Sequence, residues 1–513
     1  MTADENRVEY EQYLSKMTKE AGFAFSGKVF GVFFGFVAQA IIANLLGADI
    51  LGVFVLAWTV VQAVTLLATL GFENSFIRYI SMYVSQDRTG EARSVFFLGT
   101  RLALLAAVVG ALAVVVLREP IAIGLFDEPR LESGLLWIAL AIIPFTLARI
   151  FGGALRALKD VKRFVLGFDV SWRVARLVVF LVLYLLGLKL LGLVGGAIAA
   201  SVVALIILWR FLRVGFPSLA GDEAVEGGSI PVRSITAYSI AMLADGAMAF
   251  AMQHSDRLVL GIFLDSAHVG VYNIAALIAS LTTFVLFSFN AIFSSVIADV
   301  YHRDRGDLLR SLFRSVTRWV IILTLPVYAW ILAAGEATLS VFGSEFIVGY
   351  VPLVILATGQ LVAAGTGSVG ICLAMTGHQK YNVYNTLTMA ILSIALNMIL
   401  VPRMGIAGAG FATGAAYVFV NIARLVEVRL LLGITPYDGR TLKVIATGAI
   451  TIGVALLFRR YAALPMNFLW SVVVLIGCAI LVGLLTVMMG VRDEDRTVFR
   501  MAMNKIIRWR GGA

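Results

Sequence analysis

The sequence is poor in charge, cysteine and histidine. Only 14% of its 513 residues are Asp, Glu, Lys or Arg, whereas 60% are hydrophobic and the mean hydropathy is +0.94; soluble domains carry about 25% charged residues. Two cysteines, Cys372 and Cys478, and four scattered histidines offer neither a disulfide framework nor the spacing of a metal site. The chain is therefore predicted to be an integral membrane protein with no metal site and no redox cofactor.

Long apolar runs recur along the whole chain. Each is about twenty residues, which as a helix crosses roughly 30 Å of hydrocarbon. No cleavable signal is predicted before the first run, because residues 1–20 are polar and charged. The predicted fold class is an all-α integral membrane protein. Its fourteen predicted spans are 21–46, 50–71, 94–117, 133–155, 164–187, 192–212, 236–263, 269–297, 315–335, 350–374, 383–401, 406–430, 441–458 and 467–489.

Lys and Arg are distributed unevenly between the two sets of loops. Cytoplasmic loops retain basic residues, so we predict a cytoplasmic (inner) membrane protein with both termini in the cytoplasm. The net charge of +10 is then explained by the basic residues retained in the cytoplasmic loops. A nucleic-acid-binding protein would need a basic surface on a soluble fold, which is not predicted here. With this orientation, the basic residues in outer loops are Arg118, Arg130, Lys189, Arg403, Arg459 and Arg460.

The first twelve spans form two copies of a six-span unit. Arg101 recurs as Arg318 at an offset of 217 positions, each within a matching string, and Gly52 recurs as Gly270 at an offset of 218. Parallel repeats of this kind normally enclose a substrate site between the two halves. The predicted organisation is a cytoplasmic segment 1–20, an N-lobe 21–213, a linker 214–232, a C-lobe 233–432, two further spans within 433–490 and a basic cytoplasmic tail 491–513.

Basic side chains inside the spans indicate the charge of the cargo. A lipid-facing cation near the bilayer centre costs about 3 kcal/mol even on the lenient insertion scale, so most of them should face a polar cavity suited to an anion. Arg173 and Arg176 share a helix face with Asp169, which neutralises only one of them, and the remaining guanidinium suits a phosphate oxygen. Lys28 and Arg101 lie nearer the cytoplasmic ends and can instead extend toward the interface. The six candidates for head-group binding are Lys28, Arg101, Arg149, Arg173, Arg176 and Arg257.

Span seven carries two carboxylates, Asp245 and Asp256, eleven residues or three helical turns apart. Intramembrane carboxylates are candidates for coupling to protons or cations. The alternative for each is a structural pairing, which for Asp256 would be with an arginine of a neighbouring helix. Near the N-terminus, the stretch 22–28 resembles a phosphate loop, but Val29 replaces the required Ser or Thr and no strand precedes it. Directional transport would therefore draw on an ion gradient, on membrane potential or on removal of product.

Three local strings resemble one transporter family. They are residues 256–272 at the junction of spans seven and eight, 341–346 before span ten, and 402–409 leading into span twelve. Together with the layout of six, six and two spans without a nucleotide-binding domain, they resemble the polysaccharide transporter (oligosaccharide flippase) branch of the multidrug/oligosaccharidyl-lipid/polysaccharide exporter superfamily. The resemblance extends over residues 10–490.

The resemblance implies a flippase that carries an isoprenoid-(pyro)phosphate-linked oligosaccharide from the inner to the outer leaflet, for cell-surface polysaccharide or glycoprotein assembly. It implies alternating access between the lobes, coupling to Na⁺ or H⁺, and polysaccharide polymerases or glycosyltransferases as partners besides the membrane lipids. It places Arg149, Arg173 and Arg176 on the head group. The coupling candidates are Asp245, Asp256, Asn385 and Asn397.

Two other functions compete with this interpretation. A multidrug exporter of the same superfamily handles mostly cationic molecules, so acids should dominate its cavity, whereas the candidates considered within the spans are six basic residues and three acids, Asp169, Asp245 and Asp256. A membrane glycosyltransferase, polymerase or ligase needs a sizeable outer loop with catalytic acids, and the largest outer connections are only 118–132 and 336–349. The chain is therefore predicted to be a transporter and not an enzyme.

Overall fold

The computed structural model describes residues 3–220, 228–303, 305–461 and 468–488, and within them every regular element is a helix. The predicted all-α class is confirmed. The helices are α1 (Ala3–Ala68), α2 (Phe72–Ser85), α3 (Thr89–Val116), α4 (Pro129–Ile138), α5 (Ile142–Ala157), α6 (Val161–Phe164), α7 (Ser171–Leu185), α8 (Leu190–Gly215), α9 (Pro217–Ala220), α10 (Val232–Phe263), α11 (Ser266–Ala279), α12 (Leu281–His302), α13 (Gly306–Ser340), α14 (Tyr350–Thr366), α15 (Val369–Met375), α16 (Gln379–Leu432), α17 (Gly439–Tyr461) and α18 (Phe468–Met488).

Ten helical segments in the described ranges are long and apolar enough to cross a membrane, or eleven if the bent pair Ser266–Ala279 and Leu281–Asn290 is one span. The predicted count is fourteen. Helix α1 breaks at Gly47 (φ 79°) and α16 at Gly405 (φ 59°), each between two predicted spans. The fifth predicted span is divided between a π-helical turn, Val165–Val170, and α7. Because the two spans on either side of each glycine are counted together and the fifth is not counted, these three features account for the difference between fourteen and eleven.

Gly405 reverses the chain direction within α16. Its backbone is in a conformation that favours glycine, and a Cβ on Gly408 would overlap the carbonyl oxygen of Leu400. The two halves of α16 therefore lie side by side. Asn385 of the first half donates a hydrogen bond to Glu427 of the second at 2.6 Å.

The chain divides into two compact units, residues 41–273 (the first unit) and residues 1–40 with 274–513 (the second unit). Helix α10 belongs to the first unit, although the predicted lobes place it in the second sequence copy. Its N-terminal part packs on α2, where the Ser239 hydroxyl donates to the Ser75 hydroxyl at 2.7 Å. Gly71 has no Cβ that would overlap the Ser239 carbonyl oxygen. The packing units and the sequence copies thus have different boundaries.

Helices α3 and α13 are equivalent in the two copies, since they begin 217 positions apart. Helix α3 packs on α2 and α5, and α13 packs on α12 and α14, but α13 also contacts α17 and α18. Leu104 and Val108 of α3 are 38% and 37% exposed, whereas their equivalents Ile321 and Leu325 are 5% and 4% exposed and pack with α17 and α18. The last two described helices therefore cover a face that stays exposed in the first unit.

Candidate functional site

Two arginines of α5 share one carboxylate. Arg149 donates to Oε2 of Glu73 from Nε at 2.8 Å and from Nη2 at 2.7 Å, and Nη2 of Arg156 lies 2.6 Å from Oε1. The arginines are seven residues apart, which is two helical turns and one face. All three side chains are partly buried. This arginine pair therefore holds two positive charges against one negative charge.

Backbone packing places Glu73 between the two arginines. Gly71, with φ 76°, precedes α2 in the left-handed conformation, so that Glu73 falls in the first helical turn. Gly153 lies on α5 between Arg149 and Arg156, and a Cβ there would be only 2.6 Å from the carbonyl oxygen of Glu73. A close helix approach that requires glycine thus fixes the carboxylate opposite both guanidinium groups.

Helix α7 contributes the second arginine pair. Arg173 lies 3.9 Å from Asp169, and both side chains are more than one-third exposed. The guanidinium of Arg176 lies 4.9 Å from the ring centroid of Trp172, in cation–π geometry. Asp169 belongs to the π-helical turn that precedes α7, and such turns occur frequently at functional sites.

A band of aromatic rings joins the two arginine pairs. Neighbouring ring centroids are 5.0–6.2 Å apart. Arg156 lies 5.0 Å from the ring of Phe164 at one end, and Arg176 lies over Trp172 at the other. The indole Nε1 of Trp172 is buried and has no hydrogen-bond partner among the described residues. The aromatic band consists of Trp58, Phe145, Phe164, Phe168 and Trp172.

Arg257 and Asp256 of α10 have well-defined partners. Arg257 donates from Nε to Asn273 at 3.0 Å and from Nη1 to the carbonyl oxygen of Gln253 at 2.9 Å. The buried carboxylate of Asp256 accepts the Tyr272 hydroxyl and the Arg257 backbone N–H, each at 2.8 Å. These contacts join α10 to α11.

Two candidates, Asp245 and Arg101, stand apart from this network. Asp245 is exposed on α10 and Arg101 is exposed on α3, and neither has an ion-pair partner among the described residues. The side chain of Lys28 lies outside the described part of the chain. Among the head-group candidates whose side chains are described, Arg149 belongs to the arginine pair at one end of the aromatic band and Arg173 and Arg176 to the pair at the other, whereas Arg101 and Arg257 make no cation–π contact with its rings.

The second unit holds the two asparagine candidates. Asn385 is buried and bonded to Glu427, and Asn397 donates to the carbonyl oxygen of Ser393 at 2.8 Å. Arg424, one turn before Glu427, donates to a threonine hydroxyl at 3.3 Å. Over the described ranges, no three His, Cys, Asp or Glu residues are close enough to hold a metal ion.

Sequence reasoning missed Glu73, Arg156, Arg424 and Glu427. Glu73 lies just beyond the second predicted span, and Glu427 lies within the twelfth predicted span but is absent from the three acids considered there. One pattern does indicate an anion near α5, because Arg149 and Arg156 are two turns apart and both need a counter-charge. The sequence does not reveal which of the 31 acidic residues supplies it.

Comparison with known proteins agrees with this architecture. A family described as polysaccharide biosynthesis protein matches residues 17–301. The probable low-salt glycan biosynthesis flippase Agl15 of Haloferax volcanii is 26% identical over 189 residues, which are 36% of this chain and 39% of that protein. The similarity thus spans well under half of that relative's length.

Solved structures share the fold at low identity. The lipid II flippase MurJ in an inward closed conformation has a TM-score of 0.68 and 14% identity, covering 90% of this chain and 98% of that one. An inward-facing multidrug resistance MATE family transporter of the MOP superfamily has a TM-score of 0.64 and 14% identity, covering 79% and 94%. A MOP superfamily transporter from Pyrococcus furiosus has a TM-score of 0.57 and 15% identity, covering 83% and 96%. Since the matching family spans more than half of the chain and the fold is shared with these multi-pass membrane transporters, the predicted resemblance is confirmed, and the chain belongs to the polysaccharide biosynthesis protein family.

Proposed function

We propose that the protein is a flippase that moves a lipid-(pyro)phosphate-linked oligosaccharide from the cytoplasmic to the outer leaflet of the cell membrane. The observation that carries the proposal is the excess of positive charge along the aromatic band. Arg149 and Arg156 share Glu73, and Arg173 is only loosely paired with Asp169. Such a surface within a membrane-spanning unit suits an anionic cargo.

The arginine pairs and the aromatic band match the phosphate and the sugar of the proposed cargo, respectively. Guanidinium groups bind phosphate oxygens with charge-assisted hydrogen bonds in a fixed geometry. Aromatic faces present flat apolar surfaces, on which the C–H faces of sugar rings stack. A buried indole N–H at Trp172 adds a donor suited to a sugar hydroxyl. An oligosaccharide diphosphate engages both parts at once, whereas a cationic drug is repelled by the arginines.

The family and its relatives support the same cargo class. The matching family takes its description from polysaccharide biosynthesis, and the partially matching relative is named a glycan biosynthesis flippase. MurJ shares the fold and is named for lipid II. In this proposal the two sequence copies alternate access to the two membrane surfaces, both termini are cytoplasmic, and polymerases or glycosyltransferases act on either side of the step.

Coupling to an ion gradient is a further part of the proposal. Asp245 is the best-placed carboxylate, because it is exposed on α10 and lacks an ion-pair partner among the described residues. Replacement by Asn should abolish the response of transport to an imposed proton or sodium gradient without preventing cargo binding. An unchanged gradient response in Asp245→Asn would leave that carboxylate a structural role only.

The proposal is tested by reconstituting the full chain in liposomes with a fluorescent isoprenoid-diphosphate oligosaccharide and measuring its transfer between leaflets. Arg173→Ala/Arg176→Ala should reduce transfer at least tenfold, and the corresponding double Lys variant should recover only part, because lysine lacks the planar fork. A matched control is Arg303→Ala/Arg310→Ala, two exposed arginines of the second unit that form ion pairs with Asp299 and Asp307, their neighbours in sequence. Normal transfer by a well-folded Arg173→Ala/Arg176→Ala protein would contradict the proposed site. Transport of cationic drugs in place of the oligosaccharide would instead favour a multidrug exporter.

A further inference from the structure

We infer that Arg149 and Arg156 form a diphosphate-binding site whose place is held by Glu73 when no cargo is bound, and that the cargo head group displaces this carboxylate. The inference deepens the proposed function and rests on it for the identity of the natural ligand. Glu73 thus acts as an internal counter-ion that competes with the cargo for the two arginines.

The geometry of the triad resembles that of a bound anion. The carboxylate of Glu73 receives hydrogen bonds from both arginines, two on Oε2 and one on Oε1, at 2.6–2.8 Å. These are the short distances of charge-assisted bonds. Two guanidinium groups that converge on one carboxylate group form a site of the size and polarity that a phosphate group requires.

The charges of the triad favour exchange. Arg149 and Arg156 together carry two positive charges, and Glu73 supplies one negative charge. A diphosphate ester brings at least two negative charges and several acceptor oxygens, so it neutralises the pair more completely. The Nε of Arg156 is buried without a hydrogen-bond partner among the described residues, which leaves a donor that Glu73 does not satisfy.

A second contact keeps Arg156 in place when the carboxylate leaves. The guanidinium of Arg156 lies 5.0 Å from the ring of Phe164, an interaction independent of Glu73. A Cβ on Gly152 would lie 2.8 Å from the same ring, so Phe164 is itself held closely against α5. Displacement therefore requires a rotamer change of Glu73, at the start of α2, and no movement of α5.

The test measures binding of inorganic diphosphate to the purified full-length protein, by calorimetry and by thermal stability, for wild type and Glu73→Gln. Without ligand, Glu73→Gln should unfold at a lower temperature, because two neighbouring cations lose their counter-ion. With diphosphate, it should regain stability by mass action and bind about tenfold more tightly than wild type, since no carboxylate has to be displaced. Glu73→Asp provides a second variant, in which the shortened carboxylate cannot bridge both arginines but keeps its charge. It should also bind diphosphate more tightly than wild type, by a smaller factor.

The matched control is Glu336→Gln. Glu336 pairs with Arg459 at 2.8 Å, and both side chains are about one-third exposed. Unlike Glu73, it has an ion pair with only one arginine among the described residues. Its diphosphate affinity should equal that of wild type. Arg156→Ala should lower the affinity of wild type and Glu73→Gln alike. Equal affinities of wild type, Glu73→Gln and Glu73→Asp would overturn the inference.

Further titrations show whether the bound phosphate belongs to the cargo head group or to a bilayer lipid. They also distinguish failure of the Glu73 inference from failure of the proposed function. Isoprenyl diphosphate and vesicles of phosphatidylglycerol are titrated under the same conditions. A gain in Glu73→Gln affinity for both diphosphates but not for phosphatidylglycerol supports a site for the cargo head group, whereas a gain for phosphatidylglycerol alone overturns it in favour of a bilayer lipid. If liposomes show no oligosaccharide transfer but Glu73→Gln still binds diphosphate more tightly, the anion site stands and the proposed function fails. If transfer occurs and Glu73 substitutions leave diphosphate affinity unchanged, the proposed function stands and displacement of Glu73 is wrong.

Discussion

Gly52 of α1 and Gly270 of α11, which are equivalent positions of the two sequence copies, pack directly against each other. A Cβ on Gly52 would overlap the carbonyl oxygen of Ser266 and lie 3.1 Å from the amide nitrogen of Gly270, and a Cβ on Gly270 would overlap the carbonyl oxygen of Ala48. Ala48 and Ser266 are themselves 218 positions apart. The contact is therefore reciprocal, as at a two-fold axis.

We expect Gly52→Ala and Gly270→Ala each to destabilise the protein by about 1–3 kcal/mol, because the overlapping atoms belong to the backbone and cannot rotate away. Thermal unfolding of the purified protein in detergent measures the effect. Gly453→Ala is the control, since a Cβ there meets no atom within 4 Å and alanine favours helix. Equal melting temperatures for all three variants would show that α1 and α11 do not cross at these glycines.

The equivalent arginines Arg101 and Arg318 should respond differently to the same substitution. Arg318 is buried, donates to the Ser315 hydroxyl at 3.4 Å and lies 3.9 Å from Asp438, whereas Arg101 is exposed. Arg318→Ala should lower stability by about 2 kcal/mol through lost packing and hydrogen bonding, and Arg101→Ala should change it little. Unfolding midpoints in detergent compare the two. Similar losses at both positions would contradict the difference in environment between α3 and α13.

Acid should weaken the cluster formed by Glu128, Arg130 and Asp49. Arg130 binds both carboxylates, at 2.8 Å to Glu128 and 2.7 Å to Asp49. Its hydrogen bond holds the pKa of Glu128 below the ordinary value of 4.5, against the opposing effect of burial. A lowered pKa in the folded state stabilises the protein above that ordinary value, and the contribution is lost as pH falls through the folded-state pKa. Because Arg130 is half exposed, the contribution is at most about 1 kcal/mol.

Melting temperature measured against pH tests this dependence. Glu128→Gln should have a shallower decline below pH of about 4.5 than wild type. The control is Asp307→Asn, which removes a carboxylate that is fully exposed and should leave the pH profile unchanged. If Glu128→Gln and wild type decline in parallel, the carboxylate of Glu128 does not contribute to acid sensitivity.

Tyr272→Phe should destabilise the protein by about 1–3 kcal/mol, because it removes a hydrogen bond from the buried carboxylate of Asp256. Tyr461→Phe is the control, since Tyr461 is 77% exposed. If Asp256 has a structural role, Asp256→Asn should lower stability and leave the gradient response of transport intact, which is the reverse of the expectation for Asp245→Asn. Loss of the gradient response in a stable Asp256→Asn protein would assign coupling to Asp256 instead.

The sequence predicted the membrane class, the family and the duplicated helices, because these depend on local hydrophobicity and on repeated strings. The breaks at Gly47 and Gly405 fall between predicted spans for the same reason, since glycine permits the positive φ found at each. The helix boundaries were therefore largely readable.

The partners of the arginines were not predictable from sequence. Glu73 and Arg149 are 76 positions apart, and only the packing of Gly153 against the start of α2 brings them together. The aromatic band likewise joins residues of α1, α5, α6, the π-helical turn and α7. Pairing of this kind depends on tertiary contacts, for which a single sequence contains no periodic pattern.

The cover of α13 by α17 and α18 has a consequence for how the two copies diverge in sequence. A helix face in contact with acyl chains has to remain apolar, whereas a face in contact with protein can carry polar groups that find partners there. On α13, Trp330 and Thr338 bond to Ser471 of α18, and Glu336 bonds to Arg459 of α17. At the offset of 217, residues 104–116 of α3 correspond to residues 321–333 of α13; they contain only Ala, Gly, Leu and Val, whereas the α13 stretch includes Thr324, Tyr328 and Trp330. Because α17 and α18 cover this face of α13, α13 can carry polar side chains at positions where the equivalent helix α3 has to stay apolar.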